Sequence, residues 1–83
     1  MMMNIERVEK LLKNLGFDTR LAKTEAGENC VTATLTTKKG NVHIFAVPGG
    51  ARISKPNGTV KFHYEVSEGQ FAKYVKQTLT ANM

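Results

Sequence analysis

The sequence predicts an α+β domain: an antiparallel sheet of three to five strands with N- and C-terminal helices packed on one of its faces. Three observations lead there. Apolar residues recur at helical spacing near both ends of the chain, and between those ends they alternate at period two. Short turn signals rich in Gly, Pro and Asn punctuate the alternating runs. The expected order is α-β-β-β-(β)-β-α, and 83 residues leave room for a single domain over 1–83.

The first helix begins at Asn4, a good N-cap, with Glu6 placed favourably in the first turn. Ile5, Val8, Leu11, Leu12 and Leu15 form its apolar stripe, and Glu6, Arg7, Glu9, Lys10, Lys13 and Asn14 lie opposite. Gly16 ends it as a left-handed C-cap, with Phe17 folding back onto Leu12. Met1–Met3 and Ala81–Met83 are expected to fray.

Phe17 to Thr24 alternates as a first strand, and Glu25-Ala26-Gly27-Glu28-Asn29 is a polar turn. Cys30–Thr37 and Val42–Val47 form a hairpin across Lys38-Lys39-Gly40-Asn41. A loop centred on Lys39-Gly40 pairs Thr37 with Val42, Leu35 with Ile44 and Ala33 with Ala46. That pairing gathers Val31, Ala33, Leu35, Val42, Ile44 and Ala46 on one face. Residues 48–58 are expected to be a mobile loop carrying Arg52 and Lys55, within which Ala51 to Lys55 is either a short edge segment or loop. Pro56-Asn57-Gly58 is a strong turn signal. Thr59 to Val66 alternates cleanly, with Val60, Phe62, Tyr64 and Val66 assigned inward and Thr59, Lys61, His63 and Glu65 outward. Ser67 and Gln70 stand at the two positions of a capping box, and Val66 with Phe71 at those of a hydrophobic staple. Phe71, Tyr74, Val75, Thr78 and Leu79 then make the inward stripe of the second helix.

Composition bounds the function. A chain this short buries little more than about 60% of its unfolded surface, which leaves little scope for an enclosed cofactor cavity, and no cofactor is expected. Its one cysteine, Cys30, allows neither an internal disulfide nor a cysteine-based zinc site, and no metal is expected. It reads instead as a small inert side chain at a strand start. No apolar run approaches the roughly 18 residues of a transmembrane helix, so no membrane association is expected and the location reads as cytoplasmic.

Charge is the feature above background. Twelve Lys and Arg against seven Asp and Glu give +5. Residues 1–35 are balanced, with Arg7, Lys10, Lys13, Arg20 and Lys23 facing Glu6, Glu9, Asp18, Glu25 and Glu28. The excess belongs to residues 36–83: Lys38, Lys39, Arg52, Lys55, Lys61, Lys73 and Lys76 against Glu65 and Glu68. No acid occurs between Asn29 and Tyr64, which predicts a one-signed field, the footprint of a polyanion-binding face.

With both helices on one face, the other is open to water. The expected register gives it Thr32, Thr34, Thr36, His43, Phe45 and Val47, with Lys61 and His63 from the last strand. Lys38, Lys39, Arg52, Lys55 and Lys61 are expected to contact phosphates, with Phe45, His43 and His63 against bases. His43 and His63 as acid and base, with Lys61 stabilising charge, would suit phosphodiester cleavage and make a ribonuclease the enzymatic alternative.

The helix, antiparallel strands, helix order resembles the double-stranded-RNA-binding domain and the small endoribonuclease toxins of the HicA kind. Val8 to Phe17, running Val-Glu-Lys-Leu-Leu-Lys-Asn-Leu-Gly-Phe, resembles the toxins' first helix and its glycine stop. The toxins' catalytic glycine-serine-histidine corresponds to Gly27-Glu28-Asn29 here, without the histidine, and Glu68 stands where the RNA-binding domain carries lysines. Size and lysine-rich basicity also resemble the small early proteins of tailed phages. The expected function is RNA or general nucleic-acid binding rather than catalysis, with inhibition of a host toxin or defence nuclease as a further implication of the phage resemblance. A protein-binding inhibitor that docks an acidic partner is the alternative from another class, and a homodimer is an open option.

Overall fold

A computed structural model describes residues 2–82 of the chain. Helix α1 spans Ile5–Asn14. The Asn4 side chain accepts the Arg7 N–H at 3.1 Å, which satisfies one of the orphan donors at the helix start. At the other end Gly16 (φ +99°) takes the left-handed conformation open to glycine. The Phe17 N–H then reaches the Leu12 carbonyl and the Gly16 N–H the Lys13 carbonyl, both at 3.0 Å. This double closure brings Phe17 against Leu12, and both are buried.

Strands β1 (Asp18–Lys23), β2 (Asn29–Thr37), β3 (Gly40–Val47), β4 (Gly50–Ser54) and β5 (Val60–Tyr64) follow, and helix α2 (Glu68–Ala81) closes the chain. The five strands form one antiparallel meander in chain order, so β1 and β5 are the edges. Consecutive antiparallel strands need only short turns, and each turn carries its chemistry in the sequence. Pro48-Gly49 joins β3 to β4, and in Lys55-Pro56-Asn57-Gly58 the Gly58 N–H returns to the Lys55 carbonyl at 3.0 Å.

Both helices cover the same face. Ala33, Ile44 and Ile53 in one cross-strand row, and Val31, Ala46 and Ala51 in the next, meet Ile5, Val8 and Leu12 of α1 and Phe71 and Val75 of α2 in one core. Fully burying an aliphatic or Phe side chain contributes roughly 1.5–3 kcal/mol, so this layer is what holds a thin domain together. The capping box of α2 is complete: Ser67 Oγ accepts the Gln70 N–H at 3.1 Å and Gln70 Oε1 accepts the Ser67 N–H at 3.3 Å. One carboxylate ties the two helix starts together, since Glu68 accepts from Arg7 Nε at 3.1 Å and from the Asn4 N–H at 3.2 Å.

Four expectations change. The β2–β3 pairing is displaced by two residues from the expected one: Leu35 faces Val42, Ala33 faces Ile44 and Val31 faces Ala46. The turn is Lys38-Lys39, with Gly40 (φ +126°) following it rather than lying at its centre. A shift of two preserves the faces, so the inward set stands. Residues 50–54 are an interior strand, with Ala51 and Ile53 in the core, and not a loop or an edge. The termini are tied down further than expected: Met3 is buried and donates its N–H to the Pro48 carbonyl at 2.8 Å, and Asn82 is buried with its amide on the Thr78 carbonyl. Met1 and Met83 lie outside the described residues.

The fourth change inverts β5. Ala51 pairs with His63 and Ile53 with Lys61, so Lys61 and His63 take the helix side and Val60, Phe62 and Tyr64 the open side. The cause is Glu65, at φ +53° with its N–H on the Gly49 carbonyl at 2.9 Å. This left-handed residue breaks the period-two alternation, so Tyr64 points out while Val66 still points in to meet Phe71.

Candidate nucleic-acid interface

The open face is built from positions that alternate with the core rows. One row crosses all five strands, with one residue from each: Arg20, Thr32, Phe45, Arg52 and Phe62. At the usual spacing of neighbouring strands it runs for about 19 Å. The Arg52 guanidinium carbon lies 5.6 Å from the centre of the Phe45 ring, within the range of a cation–π contact. Phe62 is 56% exposed and Tyr64 is 73% exposed, values at which neither ring contributes to the core. Their planes are 4° from parallel with centroids 6.2 Å apart, as two residues on the same side of a strand allow.

Two concavities indent this face. One, of about 420 Å³, is lined by Phe45, Val47, Gly50, Arg52, Phe62 and Tyr64. Gly50 has no side chain to fill it, because a Cβ there would stand 2.6 Å from the His63 carbonyl oxygen. The other, of about 340 Å³, is lined by Thr32, Thr34, His43, Phe45, Arg52 and Ser54 among others. In it His43 Nδ1 lies 3.0 Å from Thr34 Oγ1, which fixes the ring on the sheet surface. Flat exposed rings beside guanidinium groups and small hydroxyls suit a ligand that is planar, aromatic and anionic at its periphery.

Phe45 and His43 therefore stand where the sequence places them, on the open face, and Arg52, expected on a mobile loop, joins them there from the interior strand β4. Lys61 and His63 do not: they lie on the helix side, where His63 stacks on Tyr74 of α2 with centroids 4.2 Å apart. His43 and His63 are separated by the sheet, so the acid–base pair with Lys61 is not assembled. Lys38 is exposed at the β2–β3 turn, and Lys39 Nζ donates to the Ala81 carbonyl at the end of α2 at 3.0 Å. Lys55 lies beside Lys61 and His63. The acid-free stretch thus supplies both faces and not one cationic plate.

Three members of the site escaped sequence reasoning. Alternation along residues 59–66 predicts Phe62 and Tyr64 inward, and Arg20 belongs to the charge-balanced half of the chain. The signal for the first two was present in β4: with Ala51 and Ile53 inward, their partners are Lys61 and His63, and the aromatics must turn out.

No family model matches the chain, and neither the curated proteins nor the solved structures contain a match to it.

Proposed function

We propose that this chain binds RNA, in single-stranded form, on the open face of its sheet, and acts by binding rather than catalysis. The observation that carries the reading is the row Arg20-Thr32-Phe45-Arg52-Phe62, with the exposed ring of Tyr64 beside it. Unpaired bases stack on such rings, each stack contributing about 1–3 kcal/mol, whereas a duplex keeps its base faces covered. Arg20 and Arg52, with Lys38 at the turn, supply charge for the phosphates. The net +5 of the chain favours encounter with any polyanion.

Fluorescence anisotropy with a labelled single-stranded RNA, at two salt concentrations, tests the reading. Binding should weaken steeply as salt rises and should weaken again in Arg52→Ala. No binding at low salt, or binding indifferent to salt, overturns it.

A second reading has its own observation. β5 is an edge strand that pairs on one side only, and it exposes Val60, Phe62 and Tyr64. Such an edge accepts a strand from a protein partner, the mode expected of an inhibitor. Capture from lysate with and without nuclease separates the two: partners lost on nuclease treatment favour RNA, and a partner retained favours strand addition.

A further inference from the structure

The helix side of β5 carries a second feature, which the open face does not use. Between β5 and α2 lies a crevice of about 380 Å³, lined by Lys55, Lys61, His63, Tyr74, Gln77 and Thr78 with Ala81. None of the lining residues is an acid. The two ion pairs among the described residues, Arg7–Glu68 and Lys13–Glu9, engage neither of its lysines. Desolvation of His63, then the charges of Lys61 and Lys55, lower the pKa of its ring, so both lysines are felt at the same point.

One explanation for such a cluster is compensation of the negative end of α2, whose last turn has no basic residue of its own. That work falls to a different lysine. Lys39 Nζ donates to the Ala81 carbonyl at 3.0 Å, which leaves Lys55 and Lys61 without an assigned counter-charge among the described residues. Tyr74, held flat against His63, forms a fixed wall, and the Thr78 hydroxyl is already spent on the Tyr74 carbonyl at 3.0 Å. The donors left over are two ammonium groups, the ring N–H of a neutral imidazole and the Gln77 amide. They converge on a half-open space with room for a tetrahedral anion.

We propose that the crevice between β5 and α2 is a phosphate-binding site, held by Lys55, Lys61 and His63, for a phosphoryl group that is either free or at the end of a polynucleotide. A phosphate monoester matches the site better than a carboxylate, because it carries close to two negative charges at neutral pH and three acceptor oxygens. The site stands independently of RNA binding by the open face. Only its polynucleotide source rests on that reading, since a strand stacked on Phe62 and Tyr64 has to pass just the edge of β5 to bring its end into the crevice.

The test is an NMR titration of the full chain with inorganic phosphate at constant ionic strength, following the His63 ring resonances. A saturable shift is expected, together with an upward move of the His63 pKa as the bound dianion offsets the two lysines. Lys61→Ala and Lys55→Ala should each weaken phosphate binding about tenfold or more, the loss expected for one hydrogen bond to a charged group. Phe62→Ala and Arg52→Ala, which alter the other face, should leave it unchanged. A His63 ring that responds no more to phosphate than to chloride overturns the proposal, as does undiminished binding in both lysine variants. Short RNAs with a 5′- or 3′-phosphate, compared with the hydroxyl-ended strand, identify the source. Tighter binding of a phosphorylated end, lost in Lys61→Ala, assigns the site to strand ends, and equal binding with phosphate response intact assigns it to free phosphate.

Discussion

The imidazole of His63 lies on the phenol ring of Tyr74, centroids 4.2 Å apart and planes 12° from parallel. The contact joins an edge strand to the second helix. It sits just outside the core, where Val75, the next residue of α2, and Phe71, one turn earlier, complete the packing. An ionisable ring used this way couples the docking of α2 to protonation.

The direction follows from linkage. Burial first, then Lys61 and Lys55, lower the His63 pKa below its ordinary 6.5. The unfolded chain therefore binds the proton more tightly than the folded one. The stability contributed by neutral His63 is complete above the unfolded pKa and is lost as pH falls through it toward the folded value. The other ionisable groups facing the ring are Lys55 and Lys61 beside β5 and Tyr74 on α2. Urea denaturation between about pH 5 and pH 7.5 should show wild type losing stability on acidification, with that component absent from His63→Gln. Parallel pH profiles for the two proteins would remove His63 from the account.

Phe62 and Tyr64 separate function from stability. Replacing either exposed ring by Ala removes little buried area, so the change in unfolding free energy should stay within about 0.5 kcal/mol. Binding of single-stranded RNA should fall by about 1–3 kcal/mol per ring, which is roughly fivefold to more than a hundredfold. Phe71→Ala is the contrast: its side chain is wholly buried, and its loss should cost about 3–5 kcal/mol. Thermal unfolding and anisotropy on the same samples check both halves. A large stability loss in Phe62→Ala would mean that this ring belongs to the core.

Gly50 tests how closely β4 and β5 approach. A methyl group at this position would meet the His63 carbonyl oxygen at 2.6 Å and Tyr64 at 3.3 Å. Backbone cannot give way as a side-chain end can, so Gly50→Ala should destabilise by about 1–3 kcal/mol. Gly49→Ala, where a Cβ meets nothing within 4 Å, should cost far less. Paired denaturant curves for the two variants settle the difference, and equal midpoints would refute the close approach.

What was legible in the sequence divides by range. Asn4, Gly16 and the Ser67/Gln70 pair act within a few residues of themselves, and each cap formed as its residue types require. The inward set Val31, Ala33, Val42, Ile44 and Ala46 also stood, because faces survive a shift of two even though the exact pairing did not. The turn was misplaced because glycine serves equally at the centre of a turn or just after it. The open face was half legible. Phe45 and His43 follow from strand parity, and Arg52 reads as a loop cation until β4 is known, while Phe62 and Tyr64 depend on one backbone angle that alternation of side chains does not reveal.

That angle is the last test. Glu65 holds φ +53°, a left-handed conformation that costs an ordinary residue about 1–2 kcal/mol, and it is the only non-glycine among the described residues with positive φ. The cost is carried because the turn meets two demands at once. It lets Val66 enter the core against Phe71, and it leaves Tyr64 and Phe62 on the open face. Relieving the strain without changing the path should therefore stabilise the chain: Glu65→Gly is expected to gain up to about 1 kcal/mol after the added entropy of the unfolded glycine is subtracted. Glu65→Val goes the other way, since a β-branched residue is a true outlier at positive φ, and should cost about 1–3 kcal/mol. It also favours continued alternation, in which Tyr64 and Val66 share a face, so its RNA affinity should fall along with its stability. Denaturant midpoints ranked Gly above Glu above Val, with RNA binding kept in the Gly variant and weakened in the Val variant, are the expected result. A Val variant as stable as wild type would show that the left-handed turn is not what directs the two rings outward.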